Sequence, residues 1–285
     1  MFDDFVKVYD EFKRCKIEDP FIETLRLFDI LTKRSLSKMK LSALSPGDID
    51  ISRLAQERKK GVPIEYVIGM APFMGQMLYC SKNALIPREE TELLTKVSLD
   101  YIKQKQQTEK DLTIIDMGTG CGNIAVSLAL NSDNTTILAS DLKSETIAVA
   151  QKNIDKFNLH KRVFLFHGDL FNPLMGLGYE GGVDIVVCNP PYIPTASLEK
   201  MESEIINNEP IEAFNAGHFG IDIFRRLIND APLFLKSKGI LVFEIGEGQE
   251  KLVGRLLKKK KDYNNIEYFD DGEKIRVMSA QYTSS

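Results

Sequence analysis

Along the first eighty residues, apolar positions recur at helical spacing. Phe2, Phe5, Val6 and Tyr9 fall on one helical face, Phe21, Leu25, Phe28 and Leu31 form a second run, and Ile51, Leu54 and Ala55 begin a third that stops at Gly61. Asp19-Pro20 supplies an N-cap and N1 pair at the head of the second run. No β-rich run interrupts them. From Leu112 the rhythm changes to short β-branched runs, LTIID (112–116), TTILAS (135–140), VFLFH (163–167), VDIVVC (183–188) and ILVFEI (240–245), alternating with longer helical patterns. That alternation predicts a parallel α/β sheet. A short helix from about Thr91 and an exposed Gln- and Lys-rich loop at 103–110 join the two parts. The pattern divides the chain into a helical domain, 1–80, with a linker reaching to about 111, and an α/β domain spanning 81–285.

The length of 285 residues accommodates two domains. With 37 Lys+Arg against 41 Asp+Glu the net charge is −4, which provides no global field to attract nucleic acid or an anionic membrane. The dense basic run at 258–261 follows a helical pattern through Leu252, Val253, Leu256 and Leu257 and reads as cations at a helix C-terminus, with an RNA or ribosome contact as the alternative. Cys15, Cys80, Cys121 and Cys188 are scattered singly, and His160, His167 and His218 lack ligand spacing, so neither disulfides nor a metal site is expected. Asp3 and Asp4 stand where a secretory signal would carry positive charge, and no apolar stretch of about 18 residues occurs. A cytoplasmic protein is expected.

The first candidate chemistry lies at Asp116-Met117-Gly118-Thr119-Gly120-Cys121-Gly122-Asn123, between the first strong strand and a helical run. Glycines here permit a sharp strand-to-helix turn and let a ligand lie against bare peptide. The spacing is G-x-G-x-G, tighter than the G-x-G-x-x-G that receives a pyrophosphate, and suits a ligand without phosphates. Asp141 ends the second strand, where a carboxylate can accept both ribose hydroxyls. The third strand ends in His167-Gly168-Asp169-Leu170, which places a carboxylate and an apolar side chain where an adenine amine and ring face would lie. Together these strand ends form a nucleoside pocket and favour S-adenosylmethionine over NAD. Asp116 has two readings, capping nearby backbone amides or contacting the methionine amine.

After the fourth strand the chain reads Asn189-Pro190-Pro191-Tyr192-Ile193-Pro194. Consecutive prolines remove amide donors and stiffen the backbone, so the Pro190 carbonyl can act as a rigid acceptor. The Asn189 side-chain oxygen supplies a second acceptor and Tyr192 a flat face. This is a clamp for a planar amino group on an sp2 carbon: an adenine amine, a cytosine amine or a glutamine amide. Holding both N–H groups would aim the nitrogen lone pair at a sulfonium methyl, catalysis by positioning and electrostatics without an obligatory general base.

Over roughly residues 50 to 280 the chain resembles the release-factor glutamine methyltransferases of the PrmC/HemK type. The likeness rests on Gly61-Val62-Pro63 with Tyr66, Gly69 and Phe73; Leu85-Ile86-Pro87-Arg88 with Glu90-Thr91-Glu92; the glycine loop; Asn189-Pro190-Pro191-Tyr192-Ile193; Glu209-Pro210 with Ala213, Gly217 and Gly220; and Glu244-Ile245-Gly246 with Gln249. It implies a helical N-terminal substrate-recognition domain joined by a β-hairpin to a seven-stranded class I, Rossmann-like methyltransferase domain. It implies methyl transfer from S-adenosylmethionine to the glutamine of the Gly-Gly-Gln motif of class-1 peptide chain release factors, leaving S-adenosylhomocysteine. A monomer is expected, with no membrane partner and no direct nucleic-acid partner. Carried over residue by residue, the cofactor contacts are Gly118, Thr119, Gly120, Cys121, Gly122, Asp141, Leu170 and Asn189, with Asp116 and Asp169 as further candidates. The glutamine clamp is Asn189, Pro190, Pro191 and Tyr192. Glu89, Phe219 and Leu170 depart from residues usual in the family.

Arg88 and Glu90 either line the substrate entry or form an ion pair that holds the interdomain hairpin. Tyr66 and Phe73 read as hairpin core, and Glu244 either supports the cofactor site or caps its strand. Two other activities share parts of this pattern: glutamine methylation of a ribosomal protein, and adenine-N6 methylation of DNA or RNA. The second would need a basic groove for the nucleic-acid backbone, and the acidic total charge argues against it.

Overall fold

The computed structural model describes residues 2–36, 50–218 and 220–283. Helices α1 (Phe2–Arg14), α2 (Pro20–Leu36), α3 (Ile51–Lys59) and α4 (Ile64–Ile68) form the N-terminal part. Their apolar stripes meet in a core of Val8, Phe12, Leu27, Ile30, Leu54 and Ile64. The α3 helix starts where the Asp50 carboxylate accepts the Arg53 amide at 2.9 Å and ends before Gly61, whose φ of 82° only glycine adopts freely.

The β-hairpin is β1 (Met70–Phe73) and β2 (Gln76–Tyr79). It lies before residue 81, within the stretch whose sequence pattern reads as wholly helical. Four-residue strands are too short to display a period. What holds them is burial on both faces: Met70 and Met77 enter the N-terminal core, while Phe73 and Leu78 enter the core of the α/β part. Asn153 fastens β2, accepting the Tyr79 amide at 2.7 Å and donating to the Tyr79 carbonyl at 2.9 Å and the Cys121 carbonyl at 2.8 Å. The next helix, α5 (Glu90–Lys105), is longer than the sequence suggests and absorbs the start of the expected 103–110 loop, because Leu94, Val97 and Ile102 bury against the sheet.

The main sheet comprises β3 (Leu112–Met117), β4 (Thr135–Asp141), β5 (Val163–His167), β6 (Val183–Cys188), β7 (Leu235–Glu244), β8 (Tyr263–Asp270) and β9 (Ile275–Tyr282). Their order is β5-β4-β3-β6-β7-β9-β8. The first five are parallel as the β-branched runs predict, whereas β9 pairs antiparallel with both β7 and β8, so the sheet is mixed. β8 escapes the sequence pattern because it is a largely exposed edge strand with a polar sequence, YNNIEYFD. Helices α6 (Asn123–Asn131) and α7 (Ser144–Lys156) pack with α5 on one face, through residues such as Ile124, Leu128, Val149 and Ile154. Helices α9 (Asp222–Phe234) and α10 (Glu250–Lys259) cover the other through Phe224, Leu227, Val253 and Leu257. Lys258 and Lys259 sit in the last turn of α10, where cations offset the helix dipole.

Between β6 and α9 the chain crosses the carboxyl edge of the sheet, carrying the short helix α8 (Ser203–Asn208). This crossing is fastened to the N-terminal part. Arg58 bonds Glu23 at 2.7 Å, Glu204 at 3.0 Å and the Val62 carbonyl at 2.5 Å, and Asn208 donates to the Gly61 carbonyl at 2.7 Å. At its end Gly220 passes the Tyr192 carbonyl so closely that a Cβ there would stand 2.6 Å from that oxygen.

Candidate active site

Strand register assembles the site. Met117 of β3 lies opposite Ser140 of β4 and Cys188 of β6, so the next residues, Gly118, Asp141 and Asn189, leave the sheet side by side. β4 lies on one side of β3 and β6 on the other, which makes this edge the topological switch point where open α/β sheets bind ligands. A cavity of about 320 Å³ opens there, walled on its far side by residues of the linker and of the crossing segment.

The glycine loop faces this cavity with bare peptide. Gly118 and Gly120 have φ of 70° and 58°. Among the described residues, a Cβ on Gly120 would meet no atom within 4 Å, and one on Gly118 only the Asn189 carbonyl oxygen at 4.0 Å. Asp141 also lines the cavity, its carboxylate accepting the Gly120 amide at 2.9 Å and the Lys143 amide at 3.2 Å. Burial raises its pKa, and these amides work in the opposite direction. Asp169 and Leu170 complete this wall, Asp169 paired with Arg226 at 2.6 Å.

Asp116, Thr119, Cys121 and Gly122, expected among the cofactor contacts, do not line the cavity. Asp116 is fully buried behind the loop, where one carboxylate oxygen accepts the Thr119 hydroxyl at 2.6 Å and the Ala125 amide at 3.1 Å. Its other oxygen is buried with no hydrogen-bond partner among the described residues, and burial pushes the carboxyl up to about 7. Cys121 is buried too, and Gly122 caps α6 against Ala150. The loop alternates, so Gly118 and Gly120 turn to the cavity while their neighbours turn to the protein. For Asp116 the geometry shows the capping role.

In the tetrapeptide, Asn189 and Pro191 line the cavity while Pro190 and Tyr192 do not. Pro190 is buried. Tyr192 packs beside Gly246, its hydroxyl donating to Glu244 at 3.4 Å and its carbonyl accepting from Gln249 at 2.9 Å. The Asn189 Nδ2 donates to the Thr91 hydroxyl at 2.9 Å, and that hydroxyl donates to Glu244 Oε2 at 2.7 Å. Glu244 is 3% exposed, and burial with the nearby Glu90 charge pushes its carboxyl up to about 7. It therefore buttresses the tetrapeptide and does not line the cavity.

Arg88 lines the cavity, but its ion pair is with Glu209 at 2.5 Å, not Glu90; Glu209 also accepts the Ile86 amide at 3.2 Å. Two residues 121 positions apart are joined because the linker and the crossing segment meet over the same edge. Lys143 and Glu212, which sequence reasoning assigns no role, line the cavity and pair at 2.8 Å. Thr91 stands in the quoted Glu90-Thr91-Glu92 stretch, but nothing in its local sequence points to Asn189. Phe219 lies outside the described residues. Among the described residues no group of three or more His, Cys, Asp and Glu side chains could hold a metal ion.

A seven-stranded sheet in this order, with a glycine-cradled cavity and an Asn-Pro-Pro-Tyr segment at its switch point, defines a class I methyltransferase. The family model described as Methyltransferase small domain matches residues 90–201. The chain is 37% identical over 223 residues to the release factor glutamine methyltransferase of Bacillus cereus, covering 78% of this chain and 77% of that one. It is 33% identical over 258 residues to that of Bacillus subtilis, covering 89% and 88%. Two solved structures share the fold at 17% identity: human methyltransferase 10 domain containing protein, with a TM-score of 0.52 over 73% of this chain and 88% of that one, and ribosomal protein L11 methylase from Lactobacillus delbrueckii subsp. bulgaricus, with 0.50 over 72% and 84%. The chain belongs to the release factor glutamine methyltransferase family.

Proposed function

We propose that the chain methylates the side-chain amide nitrogen of the glutamine in the Gly-Gly-Gln motif of class-1 peptide chain release factors, tuning translation termination, with S-adenosylmethionine as donor. The carrying observation is the Asn189 amide on the cavity wall, its nitrogen turned to Thr91, beside the bare peptide of Gly118. S-adenosylmethionine supplies an electrophilic methyl on a sulfonium. Gly118 and Gly120 present backbone along which it lies, Asp141 accepts the ribose hydroxyls, and Leu170 with Asp169 borders the adenine. Asn189 Oδ1 accepts an N–H group of the substrate amide, Pro191 borders it on the cavity wall, and Pro190 and Tyr192, behind that wall, hold the segment rigid. This withdraws the nitrogen lone pair from conjugation and aims it along the line of displacement. The amide nitrogen becomes strongly acidic as it is alkylated, so its proton can pass to water.

The helical domain, residues 1–80, contacts the release factor beyond the loop that enters the site, and this remote binding energy orders the loop for reaction. The chain works as a cytoplasmic monomer without nucleic-acid or membrane partners; among the described residues no helix is long and apolar enough to cross a membrane. The test is incubation with labelled S-adenosylmethionine and, separately, a release factor, its Gln→Ala variant, ribosomal protein and nucleic acid, with the methyl located by mass spectrometry. Label on the Gly-Gly-Gln glutamine alone is expected, and Asn189→Ala should lower turnover by about 100-fold or more. Label on ribosomal protein or on adenine, or parental turnover in a folded Asn189→Ala enzyme, overturns the reading.

A further inference from the structure

An asparagine amide is nearly symmetrical in shape, and only its hydrogen-bond partners decide whether it shows a neighbour an acceptor or a donor. At the candidate site this choice has consequences, because a clamp for an amino group needs the oxygen on the cavity side. The rule that fixes the choice lies outside the tetrapeptide. Asn189 bonds only to Thr91 through its side chain among the contacts described, and Thr91 in turn bonds Glu244. An ionised carboxylate is acceptor-only, so the Thr91 hydroxyl must spend its one proton on Glu244. Its lone pairs then face Asn189, which must answer with N–H. The amide oxygen is left for the cavity. Thr91 is 1% exposed and Glu244 3%, so the bond between them is shielded from bulk water.

We propose that Thr91 and Glu244 are positioning residues that set the polarity of the Asn189 amide, Glu244 as the ionised terminus of the relay and Thr91 as its one-way link. This deepens the glutamine-methylation reading and rests on it. Protonation of Glu244 would remove the constraint: a carboxylic acid can donate to Thr91, whose own proton then turns toward Asn189 and favours the flipped amide, with its nitrogen toward the substrate. The groups facing Glu244 are Thr91 and Glu90 from α5, Tyr192 from the tetrapeptide, Arg276 from β9 and the buried Cys188 at the end of β6. Burial and Glu90 raise its pKa to about 7, against the bonds from Thr91 and Tyr192 and the charge of Arg276. Turnover should therefore fall as pH drops below about 7, through loss of correctly oriented Asn189.

The test compares the parent with Thr91→Val, which keeps the volume and removes the hydroxyl, Thr91→Ser, which restores it, and Glu244→Gln. Release-factor methylation should drop roughly 10- to 100-fold in kcat for Thr91→Val, the scale of lost outer support for a reacting group. KM for the factor and affinity for S-adenosylhomocysteine should hold, Thr91→Ser should recover most of the loss, and both Thr91→Val and Glu244→Gln should lose the acid limb of the kcat profile. Independently of activity, the Asn189 side-chain amide signals in nitrogen-15 NMR spectra, assigned by their absence from Asn189→Ala, should titrate with pH in the parent and not in Glu244→Gln. Parental kcat in Thr91→Val, no recovery in Thr91→Ser, an acid limb that persists in Glu244→Gln, or Asn189 signals that titrate there unchanged would each overturn the proposal. If Thr91→Val does not fold, the Glu244→Gln profile and spectra decide alone. A parent that leaves the release-factor glutamine unlabelled defeats the functional reading itself, whereas a labelling parent with unaffected variants defeats only the relay.

Discussion

Replacing Asp141 by alanine perturbs one carboxylate with two distinct duties, and the structure lets the two be separated. Each of its oxygens already accepts one backbone amide, from Gly120 at 2.9 Å and from Lys143 at 3.2 Å, and each keeps capacity for a ribose hydroxyl. A hydrogen bond to a charged group contributes about 1.5–3 kcal/mol, and the lower end applies to an acceptor already shared with an amide. Two such bonds amount to about 3 kcal/mol, or a roughly 150-fold rise in Kd. Alanine also strands the two amides, but Gly120 faces the cavity and water can reach it, so the folding cost should stay at about 1–2 kcal/mol. Asp141→Asn keeps one acceptor oxygen and should lose about half the binding energy, a roughly tenfold weakening. Calorimetric titration with S-adenosylhomocysteine, beside thermal unfolding of the same samples, measures both duties. A folded Asp141→Ala protein that binds S-adenosylhomocysteine within a factor of three of the parent would refute the ribose role, and an Asn variant as weak as the Ala variant would show that loop support, not the ribose contact, dominates.

Asp116 holds the glycine loop from behind with a carboxyl raised to about 7, above the ordinary unfolded value of about 3.9. The folded state therefore holds that proton more tightly, and the stability it contributes is fully present below about pH 4 and lost as pH rises through about 7. The unfolding free energy of the parent relative to Asp116→Asn should fall between about pH 4 and about pH 7, and a pH-independent difference in urea unfolding would contradict the burial argument. Arg58, with a side chain 7% exposed, joins Glu23 of α2 to Glu204 of α8. Arg58→Ala leaves Glu204 without this cation and Glu23 with Arg26 alone, at 3.9 Å, and should destabilise by about 2 kcal/mol; an unchanged unfolding midpoint would show that the two regions hold together without it.

What the sequence by itself determines here is local in origin. Four of the five parallel strands announce themselves because strands buried on both faces carry continuous apolar runs, and the edge strand β5 does so through its apolar sequence VFLF, although Phe164 is exposed; the glycine loop and Asn189-Pro190-Pro191-Tyr192 are contiguous motifs whose backbone chemistry is visible in their letters. The hairpin at 70–79 and the edge strand β8 are not legible in this way. Their residues are held by partners elsewhere, Met77 and Leu78 by two different cores and Tyr268 by its pairing with Met278. The same division runs through the candidate site. Asp141 can be singled out because it ends a strand after the glycine loop, but whether Thr119 or Gly120 looks into the cavity depends on how the loop turns. The partner of Arg88 is Glu209 rather than the adjacent Glu90, and the support of Asn189 comes from Thr91 and Glu244, 98 positions before it and on another strand. Only the tertiary structure decides these pairings. Buried polar groups must find partners in space, and strand register and the path of the crossing segment bring those partners within reach.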